Sequence, residues 1–208
     1  MKKLLALILS MIFLLLCFAG CDKSYNTSLN VVSSNKSIRI LDGEEKTTSK
    51  NFEDSDFNRQ PTENYANIDF SGSEKSQSNA KIYKINLNST TEDNYTLSMY
   101  LTQPNKYVID YVRVAILIDS ELKVYKYYDE KEGIYHKDND PDTLLHFKSK
   151  NEIFDNLEIS FEENETKEMV VFVWIEEAEL YDENGQRDKG WADKSYNATP
   201  INLNLGII

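Results

Sequence analysis

The chain has 208 residues, a net charge of −12 at pH 7 and two cysteines, Cys17 and Cys21. Such an excess of acidic residues argues against binding to nucleic acid and against direct adsorption to anionic lipid, because both surfaces are themselves negatively charged. Both cysteines lie within the first 21 residues. We therefore expect no internal disulfide in the rest of the chain.

The first 20 residues have the pattern of an export signal. Lys2 and Lys3 precede an apolar run from Leu4 to Leu16, and small residues follow it. The run is shorter than the roughly 20 apolar residues that a membrane-spanning helix needs. We interpret residues 1–20 as a signal peptide, which would bring the rest of the chain out of the cytoplasm.

The segment Phe18-Ala19-Gly20-Cys21 resembles the lipobox of bacterial lipoproteins. In that family the cysteine thiol receives a diacylglyceryl group and becomes the new N-terminus after cleavage. Ala19 and Gly20 fit the small residues of the motif, whereas Phe18 stands where Leu is preferred. The resemblance implies lipidation of Cys21 and attachment to the outer face of the cell membrane, since two acyl chains attach stably. An uncleaved N-terminal anchor and an ordinary signal peptide are the alternatives.

The composition of residues 21–62 predicts a flexible polar tether. The segment is rich in Ser, Asn, Thr and charged residues, and its apolar residues are scattered. Such a segment buries too little apolar surface to offset the entropy lost on ordering. The alternative for part of it is a short strand at Ser37–Leu41 that pairs with a partner protein.

Residues 63–208 show apolar residues at alternate positions, which predicts half-buried strands. The predicted strands cover Lys81–Asn88, Tyr95–Thr102, Tyr107–Ile118, Leu122–Tyr128, Leu157–Phe161 and Ile201–Ile207. The continuous apolar run Met169–Ile175 predicts a central strand that is covered on both faces. Asp119 and Ser120 are predicted to join two strands as a tight hairpin. About eight strands separated by turn residues predict an all-β fold, a single antiparallel β-sandwich of jelly-roll or Ig-like type.

Three stretches resemble strands of the TasA/camelysin group of exported β-sandwich proteins. They are Tyr111–Ile116, Val171–Glu176 and Pro200–Leu205. Members of that group are mostly fibre-forming matrix proteins, some with a claimed protease activity. The resemblance implies a structural role at the cell envelope, and the lipobox favours an anchored protein over free fibre assembly.

Catalytic signatures are missing from the sequence. His136 and His146 have no spacing that pairs either with a nucleophile, and neither a His-Glu-x-x-His motif nor a Gly-rich phosphate loop occurs. We therefore expect two surface histidines, no catalytic residues and no cofactor.

Two acidic stretches could supply oxygen ligands to calcium. Asp138, Asn139, Asp140 and Asp142 crowd one turn. However, Thr143 stands where an EF-hand has Gly, and no Glu closes the loop, so we expect a solvated turn and no metal site. Residues 182–188 have the same composition and the same interpretation.

A group of aromatic residues is the third candidate site. Tyr125, Tyr127, Tyr128 and Tyr135 lie close together in sequence, and Trp191 lies in a polar loop. Exposed aromatic rings could stack on sugars, but we expect these tyrosines to lie in a core or an edge strand.

Taken together, the sequence predicts a lipid-anchored, surface-exposed binding or envelope/matrix structural protein that is not an enzyme. The membrane would be contacted through the lipid on Cys21, and the partner would be a protein or a carbohydrate. A hydrolase of cell-envelope polymers is the alternative. A cleft with convergent polar groups around His136 or His146 would favour it.

Overall fold

The structure is a computed structural model that describes residues 27–54, 62–63, 65–71, 80–102, 109–127, 135–137, 144–176, 179–181 and 201–208. These residues are mostly β-strands, and the helices among them are two 3-10 turns, Tyr65–Asn67 and Ile109–Tyr111. The predicted all-β fold class is confirmed.

The described residues form fifteen strands. They are β1 (Thr27–Ser33), β2 (Ile38–Asp42), β3 (Glu45–Thr47), β4 (Ser49–Asp54), β5 (Thr62–Glu63), β6 (Lys81–Ser89), β7 (Asp93–Thr102), β8 (Val112–Ile118), β9 (Glu121–Lys126), β10 (Tyr135–Lys137), β11 (Leu145–His146), β12 (Glu152–Phe161), β13 (Thr166–Glu176), β14 (Glu179–Tyr181) and β15 (Ile201–Ile207).

Two large sheets contain most of these strands. A five-stranded sheet has the order β12-β7-β15-β1-β4, and an eight-stranded sheet has the order β11-β9-β8-β13-β6-β2-β3, with β5 also paired to β13. β10 and β14 form a separate two-stranded sheet. Both large sheets are mixed, because β1 runs parallel to β15, β11 to β9 and β5 to β13. The prediction of a purely antiparallel sandwich is therefore wrong, and the jelly-roll or Ig-like subtype stays a prediction.

One hydrophobic core joins the two large sheets in a sandwich-like arrangement. Leu29 and Leu203 enter it from the five-stranded sheet, and Val114 and Val171 enter it from the eight-stranded sheet. Successive side chains of a strand point to opposite faces of the sheet, so each of these strands sends every second side chain inward. Full burial of one such aliphatic side chain contributes about 1.5–3 kcal/mol.

The central strand predicted at Met169–Ile175 is confirmed as part of β13. It pairs with β6 on one side and with β8 on the other. Val171 and Val173 face the shared core, whereas Phe172 and Trp174 belong to a second buried cluster on the opposite side. Both faces of β13 are covered, which explains why its sequence is continuously apolar.

The second cluster is covered by residues 65–71, which we call the covering segment. The ring of Phe70 lies 5.3 Å from Phe172 and 5.9 Å from Trp174, and the ring of Tyr65 lies 6.3 Å from Trp174. Ile68 is buried in the same cluster. The covering segment therefore closes the outward face of the eight-stranded sheet over β13.

A buried carboxylate ties the covering segment to β13. Glu176 is 0% exposed, and both of its carboxylate oxygens accept hydrogen bonds from the backbone N–H of Tyr65, at 3.1 and 3.0 Å. The indole Nε1–H of Trp174 donates to Glu176 Oε2 at 2.8 Å. Arg113 is also buried and stands opposite Trp174 on the same face, diagonal to Glu176. The N–H donors of Tyr65 and Trp174 make the burial of the Glu176 carboxylate tolerable.

The prediction of a flexible tether over residues 21–62 is wrong for residues 27–54. β1 and β4 belong to the five-stranded sheet, and β2 and β3 belong to the eight-stranded sheet. β2 pairs with β6 and β3 of its own chain, so the alternative of a partner-binding strand at Ser37–Leu41 is wrong as well. Residues 27–54 are thus part of the same sheets as residues 63–208, and residues 21–26 lie outside the described residues.

The predicted hairpin at Asp119-Ser120 is confirmed. Both residues have positive φ angles, 50° and 65°, and β8 and β9 pair directly on either side of them. Two central residues with positive φ define a type I′ turn, whose twist matches that of the flanking strands.

Candidate functional site

Several predicted site residues lie outside the described residues. These are the lipidation residue Cys21, the acidic turn Asp138, Asn139, Asp140 and Asp142, the stretch 182–188, Tyr128 and Trp191. Of Tyr135 and His136 the structure describes only the backbone, which runs in β10 antiparallel to β14. Their predicted roles stay predictions.

The structure brings His146 and Tyr125 together in an open groove, which we call the edge groove. It has a volume of about 660 Å³ and lies between β9 and β11 of one large sheet and β12 of the other. The groove is lined by Lys123, Tyr125, Leu145, His146, Lys148, Ile153, Phe154, Asp155, Asn156 and Leu157. It therefore lies at an open edge between the two large sheets.

Local backbone features shape this edge. β11 pairs in parallel with the end of β9, and the backbone N–H of Phe147 donates to the carbonyl of Lys126 at 2.7 Å. On the other wall, the register of β12 against β7 shifts twice, between Glu152 and Phe154 and between Phe154 and Leu157. Such irregularities bend an edge strand and re-aim its side chains.

The aromatic rings at the edge groove turn inward. Tyr125 is 6% exposed, and its ring lies 5.1 Å from that of Phe154 with 32° between the planes. Tyr127 is half-buried against Phe147, and Lys150 Nζ lies 5.8 Å from its ring centre. The expectation that these tyrosines lie in a core or edge strand is confirmed for Tyr125, whose ring packs on Phe154 and is not an exposed stacking surface for sugars.

The charged groups of the edge groove are paired with one another. Lys148 donates to Asp155 and also lies 3.6 Å from a carboxylate oxygen of Glu152. The hydrogen bond to Asp155 is the main reason why the pKa of Lys148 is raised above its ordinary value. Lys123 lies 2.7 Å from the carboxylate of Glu121. Both lysines of the groove therefore have carboxylate partners, of which Asp155 lines the groove itself.

Burial changes the acidity of the phenol in the groove wall. It raises the pKa of Tyr125 from 10.0 to about 12, and the negative charge of Glu121 acts in the same direction. Tyr125 is therefore neutral at physiological pH.

A second cavity of about 550 Å³ lies where β7, β12 and β13 meet. It is lined by Glu92, Asp93, Asn94, Ser160, Phe161, Glu162, Glu165 and Lys167. Lys167 Nζ lies 2.5 Å from Asp119 and 3.6 Å from Glu165, and these contacts raise the pKa of Lys167. In the part of the chain that the structure describes, no three His, Cys, Asp or Glu side chains are grouped in a way that could hold a metal ion.

Two residues of the edge groove, His146 and Tyr125, were identified from the sequence as site candidates, and most of the others were not. Phe154, Asp155 and Asn156 come to the groove through the register shifts of β12, which no local pattern indicates. The buried Arg113 and Glu176 were also missed. Their signal is present, since Arg113 interrupts an apolar strand and Glu176 directly follows the apolar run of β13.

Comparison of the chain with protein-family models, curated proteins and solved structures found no match. Within the described ranges, no helix has both the length and the apolar character needed to cross a membrane.

Proposed function

We propose that this chain is a lipid-anchored, surface-exposed binding protein of the bacterial envelope with no catalytic chemistry. The lipobox-like Cys21 and the export signal before it support the anchoring and the location. The resemblance of three strands to the TasA/camelysin group supports an envelope role. The net charge of −12 supports a partner other than nucleic acid.

The observation that carries the binding role is the fixed geometry of the edge groove, in which Lys148 is hydrogen-bonded to Asp155 and the ring of Tyr125 packs on Phe154. The groove gathers polar groups around His146, which by itself would suit a hydrolase. Lys148, however, is held by its hydrogen bond to Asp155, and the phenol ring of Tyr125 is buried against Phe154. Neither group is then suited to serve as a nucleophile or a base.

The same pairing suits a binding surface. Lys148 is fixed by Asp155, and the ring of Tyr125 is fixed by Phe154, so these walls are ordered before a ligand arrives. Preorganised walls lower the entropy lost on binding. Asn156 and His146 are exposed at the groove and provide further hydrogen-bonding groups.

The anchor is tested by substitution of the two cysteines. Cys21→Ser should abolish incorporation of a labelled fatty acid and leave unprocessed precursor, because the diacylglyceryl group needs the thiol. Cys17→Ser, the matched control, should keep both labelling and processing. Labelling that survives in Cys21→Ser but is lost in Cys17→Ser would contradict the assignment.

Binding and hydrolysis are separated by one experiment with isolated cell walls of the expressing bacterium. The full chain should co-sediment with the walls and release no soluble fragments. The double variant His146→Ala/Lys148→Ala should co-sediment less, whereas the exposed-lysine control Lys36→Ala should behave as wild type. Release of wall fragments that is lost in His146→Ala would instead establish the hydrolase.

A further inference from the structure

The outward face of the five-stranded sheet carries a compact group of uncharged polar residues. Two rows cross the neighbouring strands β1, β15 and β7. One row is Ser28, Asn202 and Thr102, and the other is Asn30, Asn204 and Tyr100. We call these six residues the amide face. Neighbouring strands are about 4.8 Å apart and alternate residues about 6.8 Å apart, so the six Cα positions span roughly 10 by 7 Å.

Hydrogen bonds hold the side chains of the amide face in place. The hydroxyl of Ser28 donates to Asn202 Oδ1 at 2.8 Å, and Asn30 Nδ2 donates to Asn204 Oδ1 at 3.3 Å. Asn204 Nδ2 in turn donates to the hydroxyl of Thr102. An amide has two N–H donors and an acceptor oxygen with two lone pairs. Within the described residues, each amide therefore keeps donor or acceptor capacity that these bonds do not use.

Tyr100 adds an aromatic surface to this group. It is 41% exposed, and its hydroxyl lies 3.0 Å from Ser98 Oγ, two residues back along the same strand. The ring therefore extends along the sheet and not away from it. The residue across from Ser98 is Gly206, which has no side chain to crowd the ring.

The absence of charge from these six residues limits the possible ligand. In a chain of which 28% is Asp, Glu, Lys or Arg, the amide face contains none of them. An anionic ligand would find no cation among these six residues and would meet a chain of net charge −12. Glu152, the cross-strand partner of Tyr100 on β12, borders the face, but its carboxylate lies 3.6 Å from Lys148 Nζ, so its charge already has a partner. A neutral sugar meets no such penalty. Its hydroxyls donate and accept as the amides do, and its C–H surface can lie on an exposed ring.

We propose that the amide face binds neutral glycans. The proposal goes beyond the proposed function, because it assigns a ligand class to a surface separate from the edge groove. Contact is made through the unused donors and acceptors of Asn30, Asn202 and Asn204 and through the ring of Tyr100. Binding is insensitive to ionic strength, because no ion pair is formed.

The test is the mobility of the full chain, purified in a neutral detergent, in native gels that contain a soluble polysaccharide. Dextran, mannan and hydroxyethyl cellulose are the neutral probes, and polygalacturonate is the acidic control. At least one neutral probe should retard the chain equally at low and high salt, and polygalacturonate should not.

Variants assign the retardation to the amide face. Tyr100→Ala should weaken binding about tenfold, the change expected for the loss of one aromatic contact. Asn30→Ala should also weaken it. The matched control is Asn86→Ala, which removes an exposed strand asparagine from the other large sheet. Unchanged melting temperatures would show that these variants are folded.

Three outcomes would overturn the proposal. They are no retardation by any neutral probe, equal retardation by polygalacturonate, and retardation that Tyr100→Ala leaves unchanged. If Tyr100→Ala changes the oligomeric state in sedimentation without changing retardation, the face joins copies of this chain instead. Wall co-sedimentation that still depends on His146 and Lys148 would then leave the proposed function standing.

Discussion

The outward faces of the two large sheets were built in opposite ways around the same core. On β13, Phe172 and Trp174 point outward and are buried beneath the covering segment. On β15, Asn202 and Asn204 occupy the corresponding outward positions and are half-buried. Both strands are central in their sheets and equally apolar on the inward side. The inward residues therefore hold the sheets together, whereas the outward residues decide whether a face is covered.

A face is covered only where the free energy gained by apolar burial offsets the backbone entropy lost when the covering segment becomes ordered. Ordering the seven residues of the covering segment costs about 1–2 kcal/mol of backbone entropy each. Burial of large side chains offsets this cost at about 1.5–3 kcal/mol each, and Phe70, Phe172, Trp174 and Ile68 all contribute. The amide face has no comparable apolar area, so a covering segment there would not be held by the same means.

The largest difference in stability between the two faces is expected when the same negative charge is placed on each. Phe172→Asp buries a carboxylate without a partner, which costs several kcal/mol, so the chain should fail to fold. Asn204→Asp, the matched variant, puts the charge on the amide face and should remain folded. Circular dichroism during thermal unfolding measures both. A Phe172→Asp variant within about 1 kcal/mol of wild type would mean that this face is not covered.

Removal of one aromatic side chain from each face should have a smaller effect. Trp174 is 0% exposed, so Trp174→Ala should lower the free energy of unfolding by about 3–5 kcal/mol. Tyr100→Ala removes a residue that is 41% exposed and should cost less, about 1 kcal/mol. Urea unfolding of the two variants gives both values, and equal losses would refute the contrast between the faces.

The anchor of the covering segment can be removed without touching its apolar contacts. Glu176→Ala leaves the N–H of Tyr65 and the indole N–H of Trp174 without their acceptor, and an unsatisfied buried donor costs about 1–3 kcal/mol. We expect this loss together with faster hydrogen exchange at the Tyr65 amide. Glu168→Ala, on the exposed part of the same strand, should change neither quantity. Slow exchange at Tyr65 in Glu176→Ala would show that packing alone holds the segment.

The smallest expected effect concerns the glycine beside the amide face. A Cβ added at Gly206 would lie 3.0 Å from Ser98 Oγ, so Gly206→Ala should cost no more than about 1 kcal/mol and displace the bond between Ser98 and Tyr100. The double variant Gly206→Ala/Ser98→Ala should recover the loss, because the crowded atom is gone. A double-mutant cycle of unfolding free energies measures this coupling. A cycle without coupling would show that the destabilisation by Gly206→Ala does not come from contact with Ser98 Oγ.

The parts of the fold that follow from local patterns were predicted correctly. The continuous apolar run of β13 requires cover on both faces, and the Asp119-Ser120 turn joins two adjacent alternating strands. The strands of residues 27–54 were missed because each is short and rich in polar residues. Their stability comes from partners far along the chain, such as β15 for β1 and β6 for β2.

The candidate surfaces were harder to predict than the strands. The sequence identified His146 and Tyr125 as site candidates, but it gave no indication that Tyr125 packs on Phe154 or that β12 shifts its register beside them. The amide face needs three strands side by side, and both of its rows exist only because β15 lies between β1 and β7. Such surfaces depend on strand order, which local alternation does not contain.

The position of β15 also governs the order in which the molecule can assemble. Ser28 and Asn202, which meet across β1 and β15, are 174 positions apart in the chain. During synthesis from the N-terminus, β1 therefore waits for nearly the whole chain with one edge unpaired, and contacts of such long range make folding slow. A chain that stops before residue 201 would retain β4 as the described partner of β1 and would lack the middle of the amide face. The finished face is thus formed only by chains that have been synthesised through β15.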